Sequence, residues 1–81
     1  MAVPLLFMGK DPKSQGGNCP TVLVDAETFD LVIQGTRADS RTVDECGEFG
    51  SLPVTEAVVR LPARMVPLIR EACDVAERRG L

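Results

Sequence analysis

"TVLVDAETFDLVIQG", residues 21–35, contains two apolar runs joined by five residues that are rich in polar side chains. Runs of Val, Leu and Ile bounded by Asp and Gly are typical of β-strands, and a connection of this length is typical of a hairpin. The stretch therefore predicts an antiparallel hairpin with strands at 21–25 and 31–35.

The flanking segments predict two further strands. "PLLFMG", residues 4–9, has the length and composition of a short buried strand bounded by Pro4 and Gly9. "TEAVVRL", residues 55–61, alternates well enough for a fourth strand, whose inward positions are Ala57, Val59 and Leu61.

The C-terminal part of the sequence predicts a helix from Pro62 to Gly80, because Pro suits the first helical position and Gly the residue after the last turn. Pro67 interrupts the pattern and indicates an irregular, 3₁₀-like first turn. The apolar residues with helical spacing are Met65, Leu68, Ile69, Ala72, Cys73 and Ala76. The expected fold is α+β, with residues 1–81 as a single domain: a small antiparallel sheet of three to four strands and one C-terminal helix packed on a face.

Residues 36–53 are polar and acidic and predict only a short helical turn. Ser40 or Thr42 is suited to cap this turn, and Thr42 and Glu45 have capping-box spacing. The glycines at 47 and 50 indicate that the turn ends early.

Catalysis is not expected, because the chain contains no histidine and a domain of 81 residues builds only a modest core. The three cysteines include no C-x-x-C pair, so no zinc site is expected, and no cofactor is indicated. Two alternatives are weaker. Cys19 could be a reactive thiol near the lysines at 10 and 13, and the carboxylates of Asp25, Glu27 and Asp30 could hold Ca²⁺.

A phosphate-binding loop is also disfavoured in "GKDPKSQGGN", residues 9–18. Lys13-Ser14 precedes the glycines, and a strand follows where a phosphate loop requires a helix. The glycines are therefore interpreted as turn residues.

Charge and hydropathy indicate a cytoplasmic protein that does not bind nucleic acid over its whole surface. Residues 21–56 contain eight acidic residues and two arginines, a net charge of −6, which repels phosphate backbones. The apolar start of the chain lacks the basic residues of a signal peptide, and no segment is long enough to cross a membrane. An odd number of cysteines agrees with a reducing compartment.

"VVRLPARMVPLIREA", residues 58–72, resembles the junction between strand and first helix in ribbon-helix-helix DNA-binding proteins. The resemblance centres on Arg60-Leu61-Pro62 and covers about a fifth of the chain. It implies an alternative function, a minimal DNA-binding ribbon protein that uses Arg60 and Arg64. The second helix of that fold is not predicted from this sequence.

Two further resemblances bear on function. Gly9-Lys10-Asp11-Pro12, Pro20-Thr21 and Gln34-Gly35, with Pro53 and Glu56, resemble a group of small actinobacterial proteins of uncharacterised role. Gly16-Gly17-Asn18-Cys19 and Arg37-Ala38-Asp39-Ser40 resemble the small BldB-like proteins. The latter resemblance implies a non-enzymatic protein–protein interaction module, an accessory partner of a helix-turn-helix transcriptional regulator.

A partner-binding surface is predicted where aromatic side chains lie among acidic ones, because such aromatic residues often anchor protein interfaces. Its residues are Phe29, Asp44, Glu45, Glu48 and Phe49. The alternative is that both rings pack on the domain's own core. A homodimer or a constitutive partner is also expected, because the helix has a wider apolar arc than one small sheet covers and the first strand is expected to leave an open edge.

Overall fold

The computed structural model describes residues 4–13 and 19–78. Within these residues the elements are β1 (Leu5–Lys10), β2 (Thr21–Asp25), β3 (Leu31–Gln34), β4 (Thr36–Arg37), α1 (Ser40–Cys46), β5 (Val59–Arg60) and α2 (Val66–Glu77), with 3₁₀ turns at Gly47–Phe49 and Ala63–Met65. The expected α+β fold with a C-terminal helix is confirmed. Across the described part of the chain, no helix combines the length and the apolar character that a membrane span requires.

The hairpin predicted from residues 21–35 forms the centre of the fold. β2 pairs antiparallel with β1 on one side and with β3 on the other, with Val22 opposite Ile33. The connection between β2 and β3 is closed by Asp25, whose Oδ1 accepts hydrogen bonds from the backbone N–H groups of Glu27 and Thr28 at 2.8 and 3.1 Å. A side chain that replaces missing backbone partners in this way is the usual reason for Asp at the start of a turn.

The core lies between this sheet and α2, which packs across all three strands. Because side chains alternate along a strand, Val22 and Val24 point to the same face, and both are fully buried against Met65 and Ala72. Leu68, Ile69 and Val75 of the helix are half-buried around this cluster. The predicted core face of the helix is thus confirmed for Met65, Leu68, Ile69 and Ala72, whereas Cys73 and Ala76 are half-buried and do not belong to this cluster.

β1 was expected to be buried, and this expectation is wrong. Leu5 is 44% exposed and Phe7 is 59% exposed, because β1 is an edge strand whose second face no described helix covers. An irregularity in the pairing between Phe7 and Gly9 turns Met8 toward the core. Gly9 fits beneath Leu68, whose Cδ2 atom would lie 2.8 Å from any added Cβ.

The fourth strand predicted at 55–61 is much shorter and joins a different sheet. Only Val59–Arg60 is extended, and it pairs antiparallel with Thr36–Arg37 in a two-stranded sheet. A turn closed by the hydrogen bond from Glu56 N–H to the Pro53 carbonyl, at 3.0 Å, occupies the first part of the predicted strand. Gly35 lets β5 approach closely, since a Cβ there would lie 3.0 Å from the Arg60 carbonyl oxygen.

The start of the C-terminal helix also differs from the expectation. Pro62 precedes a 3₁₀ turn at Ala63–Met65, and α2 begins at Val66, so Pro67 lies in the first helical turn. Its missing N–H group would have no helical partner at that position. The predicted 3₁₀-like start is confirmed, the regular helix begins one residue before Pro67 and not after it, and Gly80 lies outside the described residues.

The cap of α1 is Asp39, not Ser40 or Thr42. The Asp39 Oδ1 atom accepts a hydrogen bond from Thr42 N–H at 2.9 Å, which satisfies one of the donors left open at a helix start. The early end predicted near the glycines is confirmed, because α1 ends at Cys46 and a 3₁₀ turn continues to Phe49.

Candidate functional site

The acidic residues singled out in the sequence lie together on α1 and the 3₁₀ turn that follows it. Asp44, Glu45 and Glu48 are all exposed. Phe49, at the end of the 3₁₀ turn, is 94% exposed, although most aromatic rings in a folded protein are substantially covered. We call Asp44, Glu45, Glu48 and Phe49 the acidic patch.

Phe29 behaves differently from Phe49. Its ring is half-buried against the Val22–Val24 cluster, and its backbone has a φ of 64°, a conformation that is costly for a bulky side chain. Its N–H group donates to the Asp25 carbonyl at 2.8 Å, which holds the loop in this conformation. Phe29 therefore packs on the domain's own core, as the alternative interpretation allowed, whereas Phe49 does not.

The start of α1 carries positive charge that the sequence pattern did not reveal. The Nη2 atom of Arg60 donates to Thr42 Oγ1 at 2.7 Å. Arg60 lines a shallow cleft of about 320 Å³ together with Asp39, Arg41, Thr42 and Glu45. Hydrogen bonds from the side chain and backbone of Thr42 hold the pKa of Asp39 below its usual value, and the charge of Arg60 lowers it further. The start of α1 therefore carries charges of both signs, whereas the charged residues of the acidic patch are all negative.

An ion pair between a buried carboxylate and a half-exposed arginine, also missed from the sequence, joins the loop after β1 to the 3₁₀ turn before α2. The Asp11 carboxylate is 1% exposed and receives hydrogen bonds from Nε and Nη2 of Arg64 at 2.7 and 2.5 Å. The Lys13 N–H group donates to Asp11 Oδ1 at 3.1 Å. The hydrogen bond to Asp11 raises the pKa of Arg64, which therefore stays charged. Asp-Pro at 11–12 indicates a turn, but nothing in the sequence pattern points from it to residue 64.

An open cleft of about 690 Å³ lies beside Cys19 and is lined by Cys19, Pro20, Gln34, Gly35, Thr36 and Arg37. Gln34 Nε2 donates to the Cys19 carbonyl at 3.2 Å, which links the segment just before β2 to the end of β3. Among these lining residues no acid–base group accompanies the thiol, so the cleft contains no nucleophile–base pair.

The weaker alternatives from the sequence gain no support. Over residues 4–13 and 19–78, no group of three His, Cys, Asp or Glu side chains is arranged to hold a metal ion. The Asp25 carboxylate is engaged by its own loop, and the same hydrogen bonds to the N–H groups of Glu27 and Thr28 lower its pKa. Of the loop at residues 9–18, residues 14–18, with both glycines interpreted as turn residues, lie outside the described residues.

Compared with known proteins, the chain matches no family model, no curated protein sequence and no solved structure.

Proposed function

We propose that the chain is a non-enzymatic protein–protein interaction module, and that its acidic patch binds a basic surface on another protein. The observation that supports this function is the placement of Phe49, which is 94% exposed beside three exposed carboxylates. Burying such a ring in a partner's pocket contributes to affinity, while the surrounding charges speed encounter with a positively charged partner.

The partner that fits this chemistry is a helix-turn-helix transcriptional regulator in the cytoplasm. Such proteins carry basic surfaces that bind DNA phosphates, and a surface of that sign complements Asp44, Glu45 and Glu48. The resemblance to BldB-like proteins implies the same kind of partner. We infer that the chain acts as an accessory protein to such a regulator.

Direct DNA binding, the alternative function, has less support from the same geometry. Its two principal arginines are engaged within the chain, since Arg60 donates to Thr42 and Arg64 pairs with the buried Asp11. Using either residue on a phosphate would require these contacts to break.

The proposal is tested with two variants of equal net charge. Asp44→Asn/Glu45→Gln/Glu48→Gln removes the charges of the acidic patch, and Glu71→Gln/Asp74→Asn/Glu77→Gln removes the same number of exposed charges from α2. Wild-type protein captures partners from cells, and the association of each purified partner with the three proteins is then measured at low and high salt. We expect a slower on-rate for the acidic-patch variant alone, and a difference that shrinks as salt rises.

The anchor is tested separately with Phe49→Ser. This variant should keep the wild-type on-rate and dissociate faster, because the charges that steer the encounter remain while the buried contact is lost. Equal binding of the acidic-patch variant and the α2 control at low salt, together with no effect of Phe49→Ser, would show that the partner binds elsewhere.

A further inference from the structure

The face of the three-stranded sheet opposite α2 carries a row of apolar side chains. Phe7 pairs with Leu23, and Leu23 pairs with Val32, so these three side chains share the face that Val22 and Val24 do not occupy. Leu5, two residues before Phe7, extends the row. We call Leu5, Phe7, Leu23 and Val32 the open face.

Two of the four side chains of the open face are exposed. Phe7 is 59% exposed and Leu5 is 44% exposed, while Leu23 and Val32 are half-buried between neighbouring strands. Contiguous apolar patches on a folded surface usually mark an interface.

Charge at the two ends of the open face indicates which partner covers it. Asp25 pairs with Leu5 at one end, and Lys10 pairs with Thr21 at the other. Lys10 Nζ donates to Thr21 Oγ1 at 3.0 Å, which fixes the lysine on this face. A second copy placed with its strands antiparallel brings the lysine end of one chain over the acidic end of the other.

We propose that the open face is a homodimer interface, on which a second copy of the chain packs its own open face with antiparallel strands. The two-fold axis then lies in the plane between the two sheets, perpendicular to the strands, and places the rings of both Phe7 residues in contact. The alkyl stem of Lys10 from one copy lies over Leu5 of the other copy, and its ammonium group lies beside that copy's Asp25. Face-to-face sheets with roughly aligned strands are a standard packing of two sheets. The arrangement is isologous, so each contact occurs twice.

Sedimentation equilibrium over a wide concentration range tests the dimer. Wild-type protein should be dimeric, and Phe7→Glu should weaken self-association by at least about tenfold, because two like charges replace two apolar rings at the centre. Phe49→Ser is the matched control, because it removes an even more exposed ring that lies off the open face. It should leave the association constant unchanged.

Charge complementarity is tested with Asp25→Asn, which keeps the acceptor for the Glu27 and Thr28 N–H groups and removes only the charge. It should weaken the dimer severalfold at low salt and have little effect at high salt.

Circular dichroism checks that each variant is folded, and Phe7→Thr is measured beside Phe7→Glu because threonine is a good strand former. A monomeric wild type, a Phe7→Glu protein that dimerises normally, or a dimer lost in Phe49→Ser would each overturn the proposal. Unfolding of both Phe7 variants would overturn it as well, because the open face would then belong to the core of the monomer.

Discussion

Arg64→Met tests a contact that the sequence pattern did not predict, the ion pair between the buried Asp11 carboxylate and Arg64. Methionine keeps most of the apolar length of arginine and removes the charge and the donors. The Asp11 carboxylate, 1% exposed, then keeps the hydrogen bond from Lys13 N–H and loses those from Nε and Nη2 of Arg64. The variant therefore removes the positive charge that Arg64 places beside a buried carboxylate.

The loss of unfolding free energy depends on which partner of the pair is buried. Removing one member of a buried pair typically costs 3–5 kcal/mol when the remaining charge is kept from water. Because Lys13 N–H still donates to Asp11, the loss of the Arg64 contact should cost near the lower end of this range, about 3 kcal/mol. Asp11→Asn should cost less, about 1 kcal/mol, because the arginine left behind is 45% exposed and can turn toward water.

Urea unfolding monitored by circular dichroism measures the difference, with Arg60→Met as the control. Arg60 also donates one hydrogen bond, to Thr42, but at an exposed position, so the control should lose less than about 0.5 kcal/mol. If Arg64→Met loses no more stability than Asp11→Asn, the carboxylate does not depend on Arg64 and the reasoning from burial is wrong.

Two further predictions concern the core and the cap of α1. Leu68→Ala should lower the free energy of unfolding by about 2–3 kcal/mol in urea. Gly9→Ala should destabilise the wild type but be nearly neutral in the Leu68→Ala background, because the added methyl group would lie 2.8 Å from the Leu68 side chain. Additive losses in the double variant would contradict this contact. The folded-state pKa of Asp39 is lowered from its ordinary value of 3.8, so the stability that its charge contributes is present above that pH and is lost as pH falls through the lower folded value. Asp39→Asn, which keeps the cap acceptor, should therefore be less stable than wild type at neutral pH and equal to it at pH well below 3.8. If the two proteins differ in unfolding free energy by the same amount at both pH values, the effect does not come from the charge.

Local pattern was sufficient to predict the hairpin and the C-terminal helix, because each contains its own signal. Asp25 is the last residue of β2, and its side chain accepts the backbone hydrogen bond that stabilises the turn to β3. The apolar residues of α2 repeat with helical spacing. The position of β5 was not predictable in this way. Its alternating residues suit a strand, but whether a strand forms depends on Gly35 and on the turn at Pro53–Glu56, which together decide its length and its partner.

The candidate site was only partly predictable for the same reason. Asp44, Glu45, Glu48 and Phe49 are close in sequence, so their shared exposure on one short element follows from local structure. Phe29 could not be assigned from sequence, because its burial depends on a loop held at positive φ. Contacts between distant residues, such as the pair of Asp11 with Arg64, leave no periodic signal in a single sequence.

The part of the chain that carries the acidic patch has no buried residue anywhere between 36 and 60. Free energies of local opening follow the apolar contacts that an opening breaks, so this segment should exchange its amide hydrogens through sub-global unfolding while β2 and α2 exchange only when the whole domain unfolds. A partner that binds the patch would then slow exchange in residues 36–60 and leave the thermal midpoint of the core nearly unchanged. Amide protection, rather than a rise in melting temperature, is the signal by which binding at this segment becomes visible.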